Sequence, residues 1–323
     1  MKDQFGRTID YMRISVTDRC NLRCAYCMPP DGVPGIPHCE ILSFEEILRV
    51  ASAAASIGME KIKITGGEPL VRKDIAELIR QIKQLDGIRK VTLTTNGVLF
   101  GDLARPLTEA GLDAVNFSLD TLNADKYAGI TRVRVLDTVM RSIEAALGIG
   151  LPVKINCVPM QPYNIADWIS LAALAKNHPL DVRFIEMMPI GLGRNFTTVK
   201  NEFVLGQLAA VYGEPLPSFC KHGNGPARYY DFKGFRGSIG LISALTNEFC
   251  GECNRVRLTS DGKLTLCLCN QENLDLKKML RSGVSQADLA EKMGSAIFRK
   301  PHRHNFGHPD EMLAEKNMAQ IGG

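Results

Sequence analysis

The chain has 323 residues, 45% of them hydrophobic and 23% charged, which is ordinary for a globular protein and enough for a full barrel or two domains. A net charge of +4 suits an anionic small molecule and falls short of a nucleic-acid footprint. The opening MKDQFGRTIDYM lacks the apolar core of a secretory signal and no 18-residue apolar run could span a membrane, so a cytoplasmic protein with no membrane or nucleic-acid partner is expected.

Apolar alternation predicts a strand over residues 11–16, followed by a helix over 43–58 that opens with a Ser43-x-x-Glu46 capping box. Strands over 61–65, 90–95, 114–119, 153–158 and 181–187 then alternate with helices over 74–85, 101–110, 135–148 and 164–177. Strand–helix repeats of this kind describe a parallel α/β array of six repeats, too few to close an eight-stranded barrel. From about residue 190 the rhythm breaks at GLGR, GEPLP and GNGPAR, where a second layer or domain is expected, with its boundary between 190 and 220.

The chemically distinctive residues gather at one end of this array. A cysteine loop follows the first strand, TGGEPL (65–70) the second and TTNG (94–97) the third. Ser118 and Asp120 close the fourth, Asn156 lies near the end of the fifth, and Met187, Met188 and Pro189 end the sixth. Carboxyl ends of parallel strands are where such folds assemble active sites.

In a reducing compartment, ten cysteines argue for metal or redox chemistry rather than disulfides. DRCNLRCAYCMPP (18–30) supplies Cys20, Cys24 and Cys27, with no fourth ligand beside them. Structural zinc takes four ligands. A four-iron cluster takes one cysteine per iron, so three leave one iron open to a small molecule. From spacing alone an incomplete zinc knuckle stays open as the alternative. Further on, CGECNRVRLTSDGKLTLC supplies Cys250 and Cys253, then Cys267 after thirteen intervening residues. Cys269 could complete a zinc ribbon, but the ending Cys267-x-Cys269 is not the usual second CxxC, and Arg255 and Arg257 beside a structural ion would be unusual.

The Cys20-x3-Cys24-x2-Cys27 motif with Tyr26 resembles the signature of radical S-adenosylmethionine (SAM) enzymes. Across nearly the whole length the chain resembles the GTP 3′,8-cyclase family of molybdenum cofactor biosynthesis. RISVTDRCNLRCAYCMP, KITGGEPLVRKDI, LTTNG, NFSLDTL, VKINCV, RFIEMM, CGECNRVRLTSDGKLTLCL and the terminal GG carry the resemblance.

That resemblance implies an incomplete (β/α)6 TIM-type radical SAM barrel over residues 1–215. A C-terminal region, 216–323, would carry an auxiliary cluster and cover the barrel mouth. It implies one [4Fe-4S] cluster on Cys20, Cys24 and Cys27 and a second on Cys250, Cys253 and Cys267. SAM contacts fall on Tyr26, Gly66, Gly67, Glu68, Ser118 and Met188. GTP contacts fall on Arg13, Lys63, Thr94, Lys154, Arg255, Val256 and Arg257, and catalytic roles on Arg255, Arg257, Gly322 and Gly323. In the implied reaction a 5′-deoxyadenosyl radical takes hydrogen from ribose C3′, and the C3′ radical adds to C8 of the same guanine. The product would pass to a cyclic pyranopterin monophosphate synthase. An electron donor is required, and a homodimer is compatible.

Independently of the resemblance, no GxxxxGK[ST] loop is present, so side chains must neutralise a triphosphate. Lys63 departs from the family's usual arginine, keeping charge but losing the bidentate fork. His302, His304 and His308 read as a polar loop. The rivals are a peptide-modifying radical SAM maturase and a zinc-stapled binding protein.

Overall fold

The computed structural model of the chain describes residues 1–220, 222–247, 249–269, 273–304, 306 and 318–321. Its first half alternates β1 (Tyr11–Ser15), α1 (Phe44–Ser56), β2 (Lys61–Thr65), α2 (Ile75–Lys83), β3 (Lys90–Thr95), α3 (Phe100–Glu109) and β4 (Ala114–Ser118). Next come α4 (Ala124–Thr131), α5 (Leu136–Gly148), β5 (Val153–Cys157), α6 (Trp168–Asn177) and β6 (Leu180–Ile185). The second half holds α7 (Asn201–Tyr212), β7 (Leu216–Pro217), β8 (Arg228–Asp231), β9 (Ile239–Ile242), β10 (Arg255–Leu258), β11 (Lys263–Thr265) and β12 (Asn273–Asp275). It ends in α8 (Leu276–Arg281), α9 (Gln286–Phe298) and α10 (Met318–Ile321).

The capping box forms as expected: Ser43 Oγ accepts from the Glu46 amide at 3.2 Å, and Glu46 Oε2 accepts from the Ser43 amide at 2.8 Å. One helix was not expected. α4 is started by Asn123, whose side-chain oxygen accepts from the amides of Asp125 at 3.1 Å and Lys126 at 3.0 Å.

The strands form one sheet in the order β12-β11-β10-β1-β2-β3-β4-β5-β6-β9-β8-β7. β1 to β6 run parallel in chain order, giving an α/β fold with the strand succession of a partial barrel. The second half differs from the layer expected after residue 190. It extends the same sheet, β9 parallel beside β6 and β10 parallel beside β1. Sequence rhythm could not reveal this, because strand partners so far apart leave no local signal.

Alternation along the strands sorts side chains between two faces. Met12, Ile14, Ile62, Ile64, Val91, Leu93, Val115, Phe117, Val182 and Phe184 are buried in the apolar core. The other face carries Arg13, Lys63, Thr94, Asn116, Lys154, Asn156, Arg183, Arg255 and Arg257. Barrel interiors are ordinarily filled by branched apolar residues. A polar, cationic interior indicates a lumen built to hold something.

Candidate functional site

The carboxyl ends of the parallel strands surround a cavity of about 330 Å³. Into it the structure brings all six expected cluster cysteines: Cys20, Cys24 and Cys27 from the loop after β1, and Cys250, Cys253 and Cys267 around β10 and β11. No disulfide joins any of the ten cysteines. Tyr26, Gly66, Gly67, Glu68, Thr94, Ser118, Met188, Arg13, Arg255 and Arg257 line the same space.

The first cysteine loop is held by its neighbours. The Cys27 amide donates to the Cys24 carbonyl at 2.9 Å, and the Gly67 and Glu68 amides donate to the Thr17 and Arg19 carbonyls, each at 2.7 Å. A Cβ on Gly67 would meet the Arg19 carbonyl oxygen at 2.4 Å, and one on Gly66 the Thr17 carbonyl oxygen at 2.7 Å. The glycine pair is thus required by backbone packing against the approach to the cysteines as well as by the cavity. Glu68, 1% exposed, accepts from Leu70 N at 3.0 Å, Thr95 Oγ1 at 2.8 Å and Asn96 N at 2.7 Å. Burial pushes its carboxyl up to about 7 against these hydrogen bonds. Tyr26 donates to Asp120 Oδ2 at 2.8 Å, while Asp120 Oδ1 accepts from the Val158 amide at 2.8 Å. Burial raises Asp120 to about 6. The same desolvation raises the Cys20 and Cys24 thiols and pushes Cys27 up to about 12.

The second group has different electrostatics. Cys267 is drawn down to about 5, first by the hydrogen bond from the neighbouring Cys269 thiol and then, against burial, by Lys300 and His304. Cys253 is lowered by Lys300 and Arg255 in spite of burial, the largest influence, which acts in the opposite direction. The Arg255 guanidinium lies 5.3 Å from the centre of the Phe249 ring.

Beneath the cysteines the strand interiors bear a column of positive charge. Arg13, Lys63 and Arg257 are register partners across β10, β1 and β2. Burial lowers the Lys63 ammonium well below its ordinary value, and Arg183, Arg13, Lys154 and Arg255 lower it further. Arg257 is likewise lowered, by burial first and then by Arg13 and Arg255. With the Asn116 amide oxygen turned inward, it accepts from Arg183 Nη2 at 3.0 Å and from Lys63 Nζ. Lys63 and Lys154 line an adjoining cavity with Arg183 rather than the main one. Lys154 is engaged by Asp181 Oδ2 at 2.7 Å and Tyr229 Oη at 3.0 Å.

Val256 lies apart from the other expected GTP contacts. Its side chain is fully buried in the apolar core, on the opposite face from Arg255 and Arg257. Gly322 and Gly323, and with them His308, lie outside the described residues. Met318 and Ala319 do line the cavity, and the Ala319 backbone hydrogen-bonds the Cys27 thiol. His302 packs against Phe5 with the rings tilted by 60° and their centres 4.8 Å apart, whereas His304 lines the cavity and contacts the Ala244 carbonyl at 3.0 Å. Asp120 is expected from the sequence at the active-site end of the array, without a role, whereas Arg183, Glu186 and Lys300 are not among the expected site residues. The alternation of DVRFI could have placed Arg183 beside Lys154 and Asn156.

The radical SAM superfamily pattern matches residues 14–175, and a molybdenum cofactor synthesis C-terminal pattern matches residues 180–306. The chain is 43% identical over 323 residues to a GTP 3′,8-cyclase of Clostridium perfringens, and 46% identical over 327 residues to one of Desulforamulus reducens, with all of both chains covered in each case. The chain belongs to the GTP 3′,8-cyclase family. The structure of Streptococcus suis SuiB bound to S-adenosylmethionine superposes with a TM-score of 0.59 at 17% identity, covering 89% of this chain and 68% of that one, a likeness of fold.

For a member of this family the donor chemistry of the cavity is apt. Among the described residues no three His, Cys, Asp or Glu side chains converge as ligands of one metal ion. Two groups of three cysteines lining the cavity could each supply three irons of a four-iron cube with one thiolate apiece and leave the fourth iron for a small molecule.

Proposed function

We propose that this chain is a GTP 3′,8-cyclase. With SAM and two [4Fe-4S] clusters it converts GTP to (8S)-3′,8-cyclo-7,8-dihydroguanosine 5′-triphosphate, the first step of molybdenum cofactor biosynthesis. The observation that carries this reading is the convergence of two groups of three cysteines on a single cavity whose wall also carries Arg13, Arg255 and Arg257.

Cys20, Cys24 and Cys27 hold the cluster that binds SAM, and Cys250, Cys253 and Cys267 hold the auxiliary one. When bound, these groups supply the electron and the primary carbon radical needed to take hydrogen from ribose C3′. Gly66, Gly67, Glu68, Ser118 and Met188 wall the SAM side, with Tyr26 fixed there by Asp120. Arg13, Lys63, Thr94, Lys154, Arg255 and Arg257 take GTP, joined by Arg183 and by the backbone at Val256. Their mutual repulsion is relieved when a triphosphate enters, so they bind the substrate most strongly where they are most crowded. Holding C3′ near both C8 and the radical source is their catalytic contribution.

Residues 1–215 form the partial barrel, and 216–323 carry the auxiliary cluster and cover the mouth, a reading supported by the cavity wall that Phe249, Leu266, His304 and Phe306 provide. Catalytic roles fall on Gly322 and Gly323 together with Arg255 and Arg257. An electron donor feeds the clusters, and a cyclic pyranopterin monophosphate synthase receives the product. The chain works in the cytoplasm, where a homodimer is compatible. Among the described residues no helix is long and apolar enough to cross a membrane.

Anaerobically reconstituted, reduced protein is expected to release 5′-deoxyadenosine only with GTP present, together with a new nucleotide of GTP's mass. Release at the same rate without GTP, with the nucleotide recovered unchanged, refutes the assignment.

A further inference from the structure

Near the N-terminus one buried side chain ties three parts of the chain together. Arg7 is 8% exposed and Asp3 4%. Arg7 Nε donates to Asp3 Oδ2 at 2.6 Å. Its Nη1 donates to the Cys250 carbonyl at 2.8 Å and the His302 carbonyl at 3.0 Å, and its Nη2 to those of Pro301 at 2.7 Å and Lys300 at 3.3 Å. All five donors of a guanidinium are thereby used. The consequence is geometric: the turn bearing Cys250 and the segment after α9 are fixed to one planar fork.

That segment delivers Lys300. Its side chain is buried, only 2% of the residue being exposed, and Nζ donates to the Leu266 carbonyl, one residue before Cys267. Lys300 lines the cavity with Cys250, Cys253 and Cys267, and its charge acts on Cys253 and Cys267. Among the described residues no carboxylate forms an ion pair with it. A buried ammonium without a counter-ion is strongly unfavourable. The negative charge it faces is that of the cysteines themselves. A [4Fe-4S]2+ core bound by three thiolates carries one net negative charge, and two after one-electron reduction.

We propose that Lys300, held in place by the Arg7–Asp3 pair, is the counter-charge of the auxiliary cysteine site and raises the reduction potential of the cluster bound there. The inference rests on the assignment of Cys250, Cys253 and Cys267 as cluster ligands. Lys300 acts through the cluster and Arg7 through Lys300, so both are positioning residues.

The test uses the full chain with Cys20, Cys24 and Cys27 replaced by alanine, reconstituted so that only the auxiliary cluster is present, and follows its reduction by paramagnetic resonance. Lys300→Met is expected to disfavour reduction at least tenfold, a fall of 59 mV for one electron. Lys300→Arg should stay within twofold of the parent. Loading of iron in the arginine variant but not the methionine variant supports the same charge requirement. Failure of both to load assigns Lys300 a shape role and overturns the proposal, as does a shift under twofold in a fully loaded methionine variant. Absence of iron in the parent triple variant refutes the ligand assignment itself, and this inference with it. Arg7→Lys, which offers three donors in place of five, should lose auxiliary iron to a chelator several times faster. Unchanged loss removes Arg7 from the account.

Discussion

Replacing Lys63 by methionine should make the substrate-free protein more stable and a worse binder of GTP. Lys63 is 9% exposed, and the charges acting most strongly on it, Arg183, Arg13, Lys154 and Arg255, are all positive. Two unit charges roughly 7 Å apart at an effective dielectric of about 20 repel by about 2 kcal/mol. Methionine fills nearly the same volume without the charge, so removing even one such repulsion is worth about 2 kcal/mol. Unfolding entropy for a chain of 323 residues is about 0.7 kcal/mol per kelvin, so Tm should rise by about 3 °C. A charge-assisted contact to phosphate contributes about 2 kcal/mol, so GTP affinity should fall about 30-fold. Thermal unfolding of cluster-free protein gives the first number and calorimetric titration with GTP the second. Because burial and repulsion depress the Lys63 pKa, part of its proton is absent in the free protein at alkaline pH. GTP binding should therefore take up protons there, and the heat of binding should depend on buffer ionisation. A lower Tm in Lys63→Met, or unaltered GTP affinity, would refute the crowding argument.

Glu186 is fully buried and accepts from the amides of Asn201, Leu245 and Thr246 at 3.4, 2.9 and 3.1 Å, and from Thr246 Oγ1. Glu186→Ala strands these donors at a cost of about 3–5 kcal/mol, lowering Tm by roughly 4–7 °C; a fall under about 1 °C contradicts this. Cys269→Ser should keep the auxiliary iron whereas Cys267→Ser loses it, read by iron and sulfide analysis; equal loss would make Cys269 a ligand. Raised carboxyl pKa values mean that the native state keeps protons the unfolded chain has released, so stability falls with rising pH. The windows run from 4.5 to about 7 for Glu68 and from 3.8 to about 6 for Asp120, each worth about 3 kcal/mol. In a cluster-free Cys253→Ser, Cys267→Ser variant, which removes two thiols whose lowered values act in the opposite sense, the protein should unfold at a lower temperature at pH 7.5 than at pH 5, and Asp120→Asn should flatten part of that slope. A Tm that climbs across this range excludes the mechanism.

Much of the barrel was legible because strand and helix periodicity are local signals. The strands at 61–65 and 90–95 were read to the residue. The two cysteine groups are visible in the sequence, but their spacing alone leaves zinc open, and the choice of iron–sulfur clusters comes from the family resemblance. Lys61 and Lys63 could not be separated by sequence: Lys61 pairs with Asp10 at 2.5 Å, whereas Lys63 is buried among cations. Val256 was grouped with its flanking arginines, although two-residue alternation already sends it to the other face. Arg7 and Lys300 were invisible for a different reason. Their roles depend on contacts spanning 243 to 295 residues, from Arg7 to Cys250 and to the segment at 300–302.

The placement of β9 beside β6 and β10 beside β1 governs the order of assembly. Until residues 239–258 are synthesised, both flanks of the six-stranded array stand bare, each a template for stray strand pairing. Zipping up β10 brings Cys250 and Cys253 opposite a loop translated more than two hundred residues earlier. A chain truncated before β9 would still contain the first cysteine loop, yet it should be sticky, short-lived and open to oxygen. Iron should therefore be retained only once both rims are sealed.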